Sequence, residues 1–197
     1  MRTLEDVQTV GIVGAGTMGN GIAQVAATAG YDVVMRDIES EFVERGFDSI
    51  DSSLSRLVEK ERLTQAEADA ARDRITGTTA FADLAAADLV VEAAVENMDV
   101  KKDIFADLAD LVDEDVVLAT NTSTLSITSI AAATERPEHV VGLHFMNPVP
   151  VMKGVEVVRG ELTSEAAVDL AHGFAESLEK ETWESDDKPG FVTNRIL

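Results

Sequence analysis

An α/β fold, doubly wound around a mostly parallel sheet, is predicted by three observations. Short runs rich in Val, Ile and Leu alternate with stretches of helical periodicity along most of the chain. A glycine-rich turn, Gly14-Ala15-Gly16-Thr17-Met18-Gly19, stands between the first such run and the first helical stretch. The second run then stops at an acid, Asp37.

Taken in order, the first strand is Thr9 to Val13, and a helix follows from about Thr17 to Thr28, carrying Ile22, Ala23, Val25 and Ala26. Tyr31 to Arg36 is the second strand. From Ser40 to Arg74 no strand is predicted: Phe47, Ile50, Leu54, Leu57 and Val58 recur at helical spacing, and Thr64 with Glu67 forms a capping box for a second helix. Residues 40–74 therefore read as a helical hairpin inserted after the second strand. Alternation resumes with a weak strand, Ile75 to Thr79, and a strong one, Leu89 to Ala94. A helix from Asp99 to Val112, a strand from Val116 to Thr120 and a short helix from Ile127 to Thr134 come next. The late strands are His139 to Phe145 and Val155 to Val158, and Thr163 or Ser164 caps a helix running to about Glu179. Lys188-Pro189-Gly190 breaks the chain before an apolar run from Phe191 to Leu197. This divides the sequence into one domain over 1–187 and a linker with the first turns of something further over 188–197.

At 197 residues and 45% hydrophobic, the chain can build a sizeable core. It has no cysteine, which excludes disulfide and thiolate chemistry. No apolar stretch approaches membrane-spanning length and no leader is recognisable, so a cytoplasmic protein without membrane partners is expected. Asp and Glu number 37 against 16 Lys and Arg, a net charge of −21. A phosphate polymer would be repelled, so nucleic acid is not a partner. The acids are spread over helix faces, which argues against a disordered acidic tail. With lysine scarce and alanine at many apolar positions, the charge reads as adaptation to high salt, where counter-ions screen self-repulsion, the alternative being an acidic mesophilic enzyme.

Gly14, Gly16 and Gly19 fit the G-x-G-x-x-G fingerprint in the setting that gives it meaning: strand before, helix after, acid at the end of the next strand. The fold is thus Rossmann-like and the cofactor a dinucleotide, its pyrophosphate over Gly16 and Thr17 at the helix N-terminus. Asp37, 18 residues after Gly19, suits the adenosine ribose hydroxyls and favours NAD over NADP. Three histidines are present. His139 reads as a surface residue and His172 as structural. His144 ends an apolar strand before Asn147-Pro148, and the following strand carries Glu156. Two strands joined by a turn can set an imidazole beside a carboxylate, a general-base arrangement. Glu92, Glu96 and Asn121-Thr122-Ser123 close two further strands with polar groups at the edge where α/β ligand crevices form. No metal site is expected.

These motifs, together with Val90-Val91-Glu92-Ala93-Ala94-Val95-Glu96-Asn97, Asn121-Thr122-Ser123-Thr124-Leu125-Ser126-Ile127, the Gly142 to Pro150 run and Pro189-Gly190-Phe191-Val192-Thr193-Asn194-Arg195, resemble the NAD-binding domain of the L-3-hydroxyacyl-CoA dehydrogenase family, including the 3-hydroxybutyryl-CoA dehydrogenases. The resemblance implies NAD-dependent oxidation of an L-3-hydroxyacyl-CoA to the 3-oxoacyl-CoA, or the reverse, in fatty acid metabolism. It implies His144 as the base, Glu156 as its orienting carboxylate, Ser123 and Asn194 at the substrate's reacting oxygens, and Asn147 holding the histidine site. Glu96 and Lys101 would lie along the nicotinamide ribose, and Met18 and Asn121 beside the cofactor. Arg56, Lys60 and Arg62 in the hairpin would meet the phosphates of coenzyme A. It further implies a helical domain after the Asn194 segment, which closes the acyl-CoA cleft and carries a dimer interface; this sequence reaches Leu197, so that domain is expected to be largely absent from it, and the partners expected are a separate helical domain or a second copy of the chain, as a homo-oligomer. Three competing readings are distinguishable. The β-hydroxyacid dehydrogenases share a similar start but use a lysine, which the His144–Glu156 pair opposes. Relatives acting on a sugar acid such as gulonate keep the fold and the pair. A non-catalytic NAD-binding module would not need the pair.

Overall fold

A parallel strand covered on both faces needs apolar side chains pointing both ways, and the first strands meet that requirement. The structure, a computed structural model, describes residues 1–193. In it β1 (Thr9–Val13), β2 (Asp32–Arg36), β3 (Ile75–Thr78), β4 (Leu89–Glu92), β5 (Val117–Thr120), β6 (Val140–Phe145), β7 (Gly154–Arg159) and β8 (Glu181–Asp186) form one eight-stranded sheet in the order β3-β2-β1-β4-β5-β6-β7-β8. Strands β1 to β6 pair in parallel, β7 runs antiparallel to β6, and β8 runs parallel to β7.

The helices are α1 (Thr17–Thr28), α2 (Ser40–Glu59), α3 (Gln65–Asp73), α4 (Met98–Leu111), α5 (Ile127–Ala131) and α6 (Glu165–Ser177). Because side chains alternate across a strand, neighbours such as Leu89 and Val90 enter different cores. Val10, Ile12, Leu89 and Val91 pack with α1, the α2–α3 hairpin and α6; Val13, Val90 and Leu118 pack with Phe105, Leu108 and Ile127 from α4 and α5. Among the described residues no helix is long and apolar enough to cross a membrane.

The inserted hairpin forms as its periodicity predicts and is part of the core. Ile50 and Leu54 are buried, Phe47, Leu57 and Val58 are half-buried, and the Thr64–Glu67 capping box is made. Several boundaries move. β2 begins at Asp32, β3 ends at Thr78, β4 stops at Glu92 and β6 starts at Val140. α4 starts one residue earlier than expected because Asn97 caps it through the amides of Asp99 and Val100. α6 is capped by Ser164 and not Thr163, whose hydroxyl donates to the Val140 carbonyl at 2.7 Å. β8 has no counterpart among the predicted elements.

Candidate active site

The carboxyl ends of β1, β2 and β4 enclose a cleft of about 630 Å³ lined by the glycine turn, Asp37 and residues 93–95. Gly14 has φ +103°, and a Cβ there would stand 2.7 Å from the Ala93 carbonyl oxygen. A Cβ on Gly19 would collide with the Gly14 carbonyl at 1.7 Å, so α1 can approach the turn only as glycine permits. Gly16 differs: a Cβ there meets no protein atom within 4 Å. It is the N-cap of α1 and offers no side-chain acceptor to the first amides. Open space in front of unpaired helix amides fits a pyrophosphate. At the opposite lip, Asp37 accepts from the Ala15 amide at 2.7 Å and from the Ile38 amide at 2.7 Å. Thr17 and Met18 line the same cleft, as do Arg36, stacked 5.2 Å from the Phe81 ring centroid, and Arg45. Arg45 was not legible from the sequence as a cleft residue; it sits on α2, which the topology brings alongside β2.

His144 and Glu156 are register partners across β6 and β7. Nδ1 of His144 lies 3.2 Å from Glu156 Oε2, with Glu156 fully buried and His144 7% exposed. A carboxylate at Nδ1 selects the Nδ1–H tautomer and leaves Nε2 as the basic atom. The second carboxylate oxygen, Oε1, accepts from the amides of Val192 at 2.8 Å and Thr193 at 3.3 Å. Burial alone would raise the Glu156 carboxyl; the Val192 amide, the His144 ring and Thr193 outweigh it and hold the group below the usual carboxylate range. His144 lines a smaller pocket with Ser123, Asn121, Asn147 and Glu96, and Met18, Ala93 and Ala94 line both this pocket and the cofactor cleft. The fingerprint cleft and the imidazole therefore share a wall.

A sequence profile described as "3-hydroxyacyl-CoA dehydrogenase, NAD binding domain" matches residues 9–187. The chain belongs to the 3-hydroxyacyl-CoA dehydrogenase family. It corresponds to that family's NAD-binding domain, and NAD is the cofactor. It is 49% identical over 187 residues to the probable 3-hydroxybutyryl-CoA dehydrogenase of Deinococcus radiodurans, covering 95% of this chain and 67% of that protein. It is 44% identical over 191 residues to the 3-hydroxybutyryl-CoA dehydrogenase of Bradyrhizobium diazoefficiens, covering 97% of this chain and 65% of that one. The crystal structure of (S)-3-hydroxybutyryl-CoA dehydrogenase from Ralstonia eutropha superimposes with a TM-score of 0.95 at 48% identity, covering 97% of this chain and 68% of that chain. The chain thus spans about two thirds of the length of these relatives.

In this dehydrogenase domain the remaining predicted residues separate into three groups. Glu96 and Ser123 come together: Glu96 Oε1 accepts from the Thr122 hydroxyl at 2.5 Å and from the Ser123 amide at 3.0 Å. Burial pushes the Glu96 carboxyl up, and these bonds together with the nearby Lys101 charge bring it below the usual range. Asn121 lines the pocket, and its Oδ1 accepts from the Phe145 amide at 2.9 Å, tying the end of β5 to the strand that carries His144. Lys101 is held by two carboxylates. It is 1% exposed, its ammonium donates to both oxygens of Glu92 at 2.7 and 2.9 Å, and it approaches Glu96 only at 3.6 Å. Its position on the inward face of α4, nine residues from Glu92, makes it half of a buried ion pair with Glu96 close by.

Asn147 stands exposed at the pocket mouth, and among the described residues its side chain makes no hydrogen bond to His144. Asn194 lies outside the described residues. Arg56 and Lys60 are exposed at the end of α2, and Arg62 lines a groove of about 600 Å³ shared with Lys153 and Lys180, the latter bonded to the Val149 and Met152 carbonyls. His172 is structural as expected, its Nδ1 2.8 Å from the Thr182 hydroxyl. His139 is half-buried just before β6, and burial pushes its imidazole below the usual value.

Proposed function

We propose that this domain serves the NAD-dependent interconversion of an L-3-hydroxyacyl-CoA and its 3-oxoacyl-CoA, with His144 as the general base. Bound NAD supplies the hydride acceptor. The observation that carries the reading is the register-paired His144–Glu156 couple opening onto a pocket that adjoins the dinucleotide cleft. Nε2 removes the proton of the 3-hydroxyl as the C3 hydride departs. Glu156, buried and held ionised by its donors, balances the imidazolium that results. Ser123 hydrogen-bonds the reacting oxygen, and Glu96 fixes the loop that presents it. Asp37 holds the adenosine ribose and excludes a 2′-phosphate by charge. Arg56, Lys60 and Arg62 form a cationic landing site for the phosphates of coenzyme A in a chain of net charge −21. The acidic surface suits a salt-rich cytoplasm.

The reading is tested by titrating the chain with NADH and NADPH and then following nicotinamide absorbance with acetoacetyl-CoA. NADH should bind more tightly than NADPH. His144→Gln should lower turnover about 100- to 10,000-fold while leaving NADH affinity unchanged. Near-full turnover in that variant would remove His144 from the mechanism. Neutralising Arg56, Lys60 and Arg62 together should weaken acyl-CoA binding and spare NADH; unchanged acyl-CoA affinity refutes the landing site.

A further inference from the structure

Between β8 and the end of the described chain, residues 187–193 make three long-range attachments that the sequence does not announce. Asp187 accepts from the Ser126 hydroxyl at 2.8 Å, the Ile127 amide at 3.0 Å, and the Thr128 amide and hydroxyl at 2.8 and 2.6 Å, all at the start of α5. The chain then turns, with the Phe191 amide donating to the Lys188 carbonyl at 2.7 Å. Phe191 takes φ +47°, a left-handed conformation that a bulky residue keeps only when its surroundings over-determine it. Its ring is 1% exposed and stands edge-on to the His144 imidazole, 6.0 Å between centroids. Immediately after it, the amides of Val192 and Thr193 reach Glu156 Oε1.

We propose that residues 187–193 form a strap that positions the Glu156–His144 pair: Asp187 anchors it, Phe191 backs the imidazole, and two main-chain amides hold Glu156 Oε1 so that Oε2 faces Nδ1. The inference rests on His144 acting as the base. Its physical content is rotational. A buried carboxylate with one bonded oxygen can swing about its terminal torsion; two amides on the other oxygen fix the plane of the group. The imidazole meets that fixed oxygen on one side and the Phe191 ring on another, and so keeps a single tautomer with Nε2 toward the pocket. The other charged side chain lining that pocket, Glu96, belongs to a different loop and does not reach Glu156. Asp187, Phe191 and Val192 are thus positioning groups; none of them lines the cofactor cleft or the His144 pocket.

The test is nuclear magnetic resonance on the isotopically labelled chain without ligands. Glu156→Gln should speed hydrogen exchange of the Val192 amide about tenfold or more and move its proton upfield, the change expected when a charge-assisted bond becomes a neutral one. Phe191→Ala should convert the neutral His144 ring from the Nδ1–H tautomer to a mixture, Phe191→Leu should restore it, and the His139 and His172 rings should not change. If Phe191→Ala does not fold, Asp187→Ala carries the same expectation. An unresponsive Val192 amide in Glu156→Gln, or an unchanged His144 tautomer in the strap variants, overturns the proposal. Retained turnover in His144→Gln would instead remove the catalytic reading and leave these signals as expected.

Discussion

Lys101→Met removes a cation from a place that water cannot reach. The ammonium and the Glu92 carboxylate are 1% and 0% exposed, and the pair is bonded at 2.7 and 2.9 Å. Without Lys101, Glu92 keeps the Thr120 hydroxyl at 2.7 Å and the Ala94 amide at 2.7 Å, but no counter-charge. Breaking one partner of a buried pair costs about 3–5 kcal/mol. In a domain of this size each kcal/mol lowers the melting temperature by about 2–4 °C. The variant should therefore melt roughly 6–20 °C lower. Pairing it with Glu92→Gln removes the stranded charge, keeps polar partners for the Thr120 hydroxyl and the Ala94 amide, and should recover much of that loss. The assay is urea unfolding of the wild type, both singles and the double, with NADH titration alongside. A loss below about 1 kcal/mol in Lys101→Met, the value of an exposed pair, refutes the reasoning. Unchanged stability with weakened NADH would return Lys101 to the ribose.

The glycine turn separates folding from cofactor binding: Gly14→Ala should cost about 2–3 kcal/mol through its left-handed φ and its clash with Ala93, whereas Gly16→Ala should leave stability within about 0.5 kcal/mol and weaken NADH; equal effects on both properties at both positions contradict this. Glu156, Glu96 and Asp187 all titrate below their unfolded values near 4, so their stabilisation is complete above that pH and is lost as pH falls through the lower folded values. Urea unfolding from pH 7 to pH 3 should show this acid limb, and Asp187→Asn should flatten part of it; an equally steep limb in the variant counts against the Asp187 anchor. Thermal stability and NADH affinity should rise from low to molar KCl, because at about 1 M the Debye length is about 3 Å and a charge of −21 no longer repels itself at a distance; a melting temperature that falls steadily with KCl refutes the high-salt reading.

What could be read from the sequence was what depends on near neighbours. The parallel strands announced themselves as β-branched runs, the hairpin as a helical stripe, and the cofactor cleft as a motif whose flanking elements came in the right order. His144 and Glu156 could be paired because one turn joins their strands. β8 escaped because it is an edge strand with Glu181, Glu184 and Asp186 exposed and only Ser185 fully buried, so no apolar alternation marks it. The partners of Lys101, Asn121 and Asp187 were not legible for a shared reason: they are 9, 24 and about 60 residues away, and only the folded topology brings them together. The strap residues were read as the opening of an apolar run, since main-chain donors leave no trace in side-chain chemistry.

The reversal of direction between β6 and β7 makes backbone pairing the ruler that sets the distance from imidazole to carboxylate. His144 opposes Glu156 because Leu143 opposes Val157 and Phe145 opposes Val155. A slip of one residue would throw Glu156 to the other face of the sheet. Residues 146–153, which join the two strands, are anchored separately: Val149 is buried in the core, and the Val149 and Met152 carbonyls accept from the Lys180 ammonium at 2.7 and 2.8 Å. Ladder and connection therefore act as two clamps on one alignment, and a change in the length of the connection leaves His144 and Glu156 in step only if both clamps are kept.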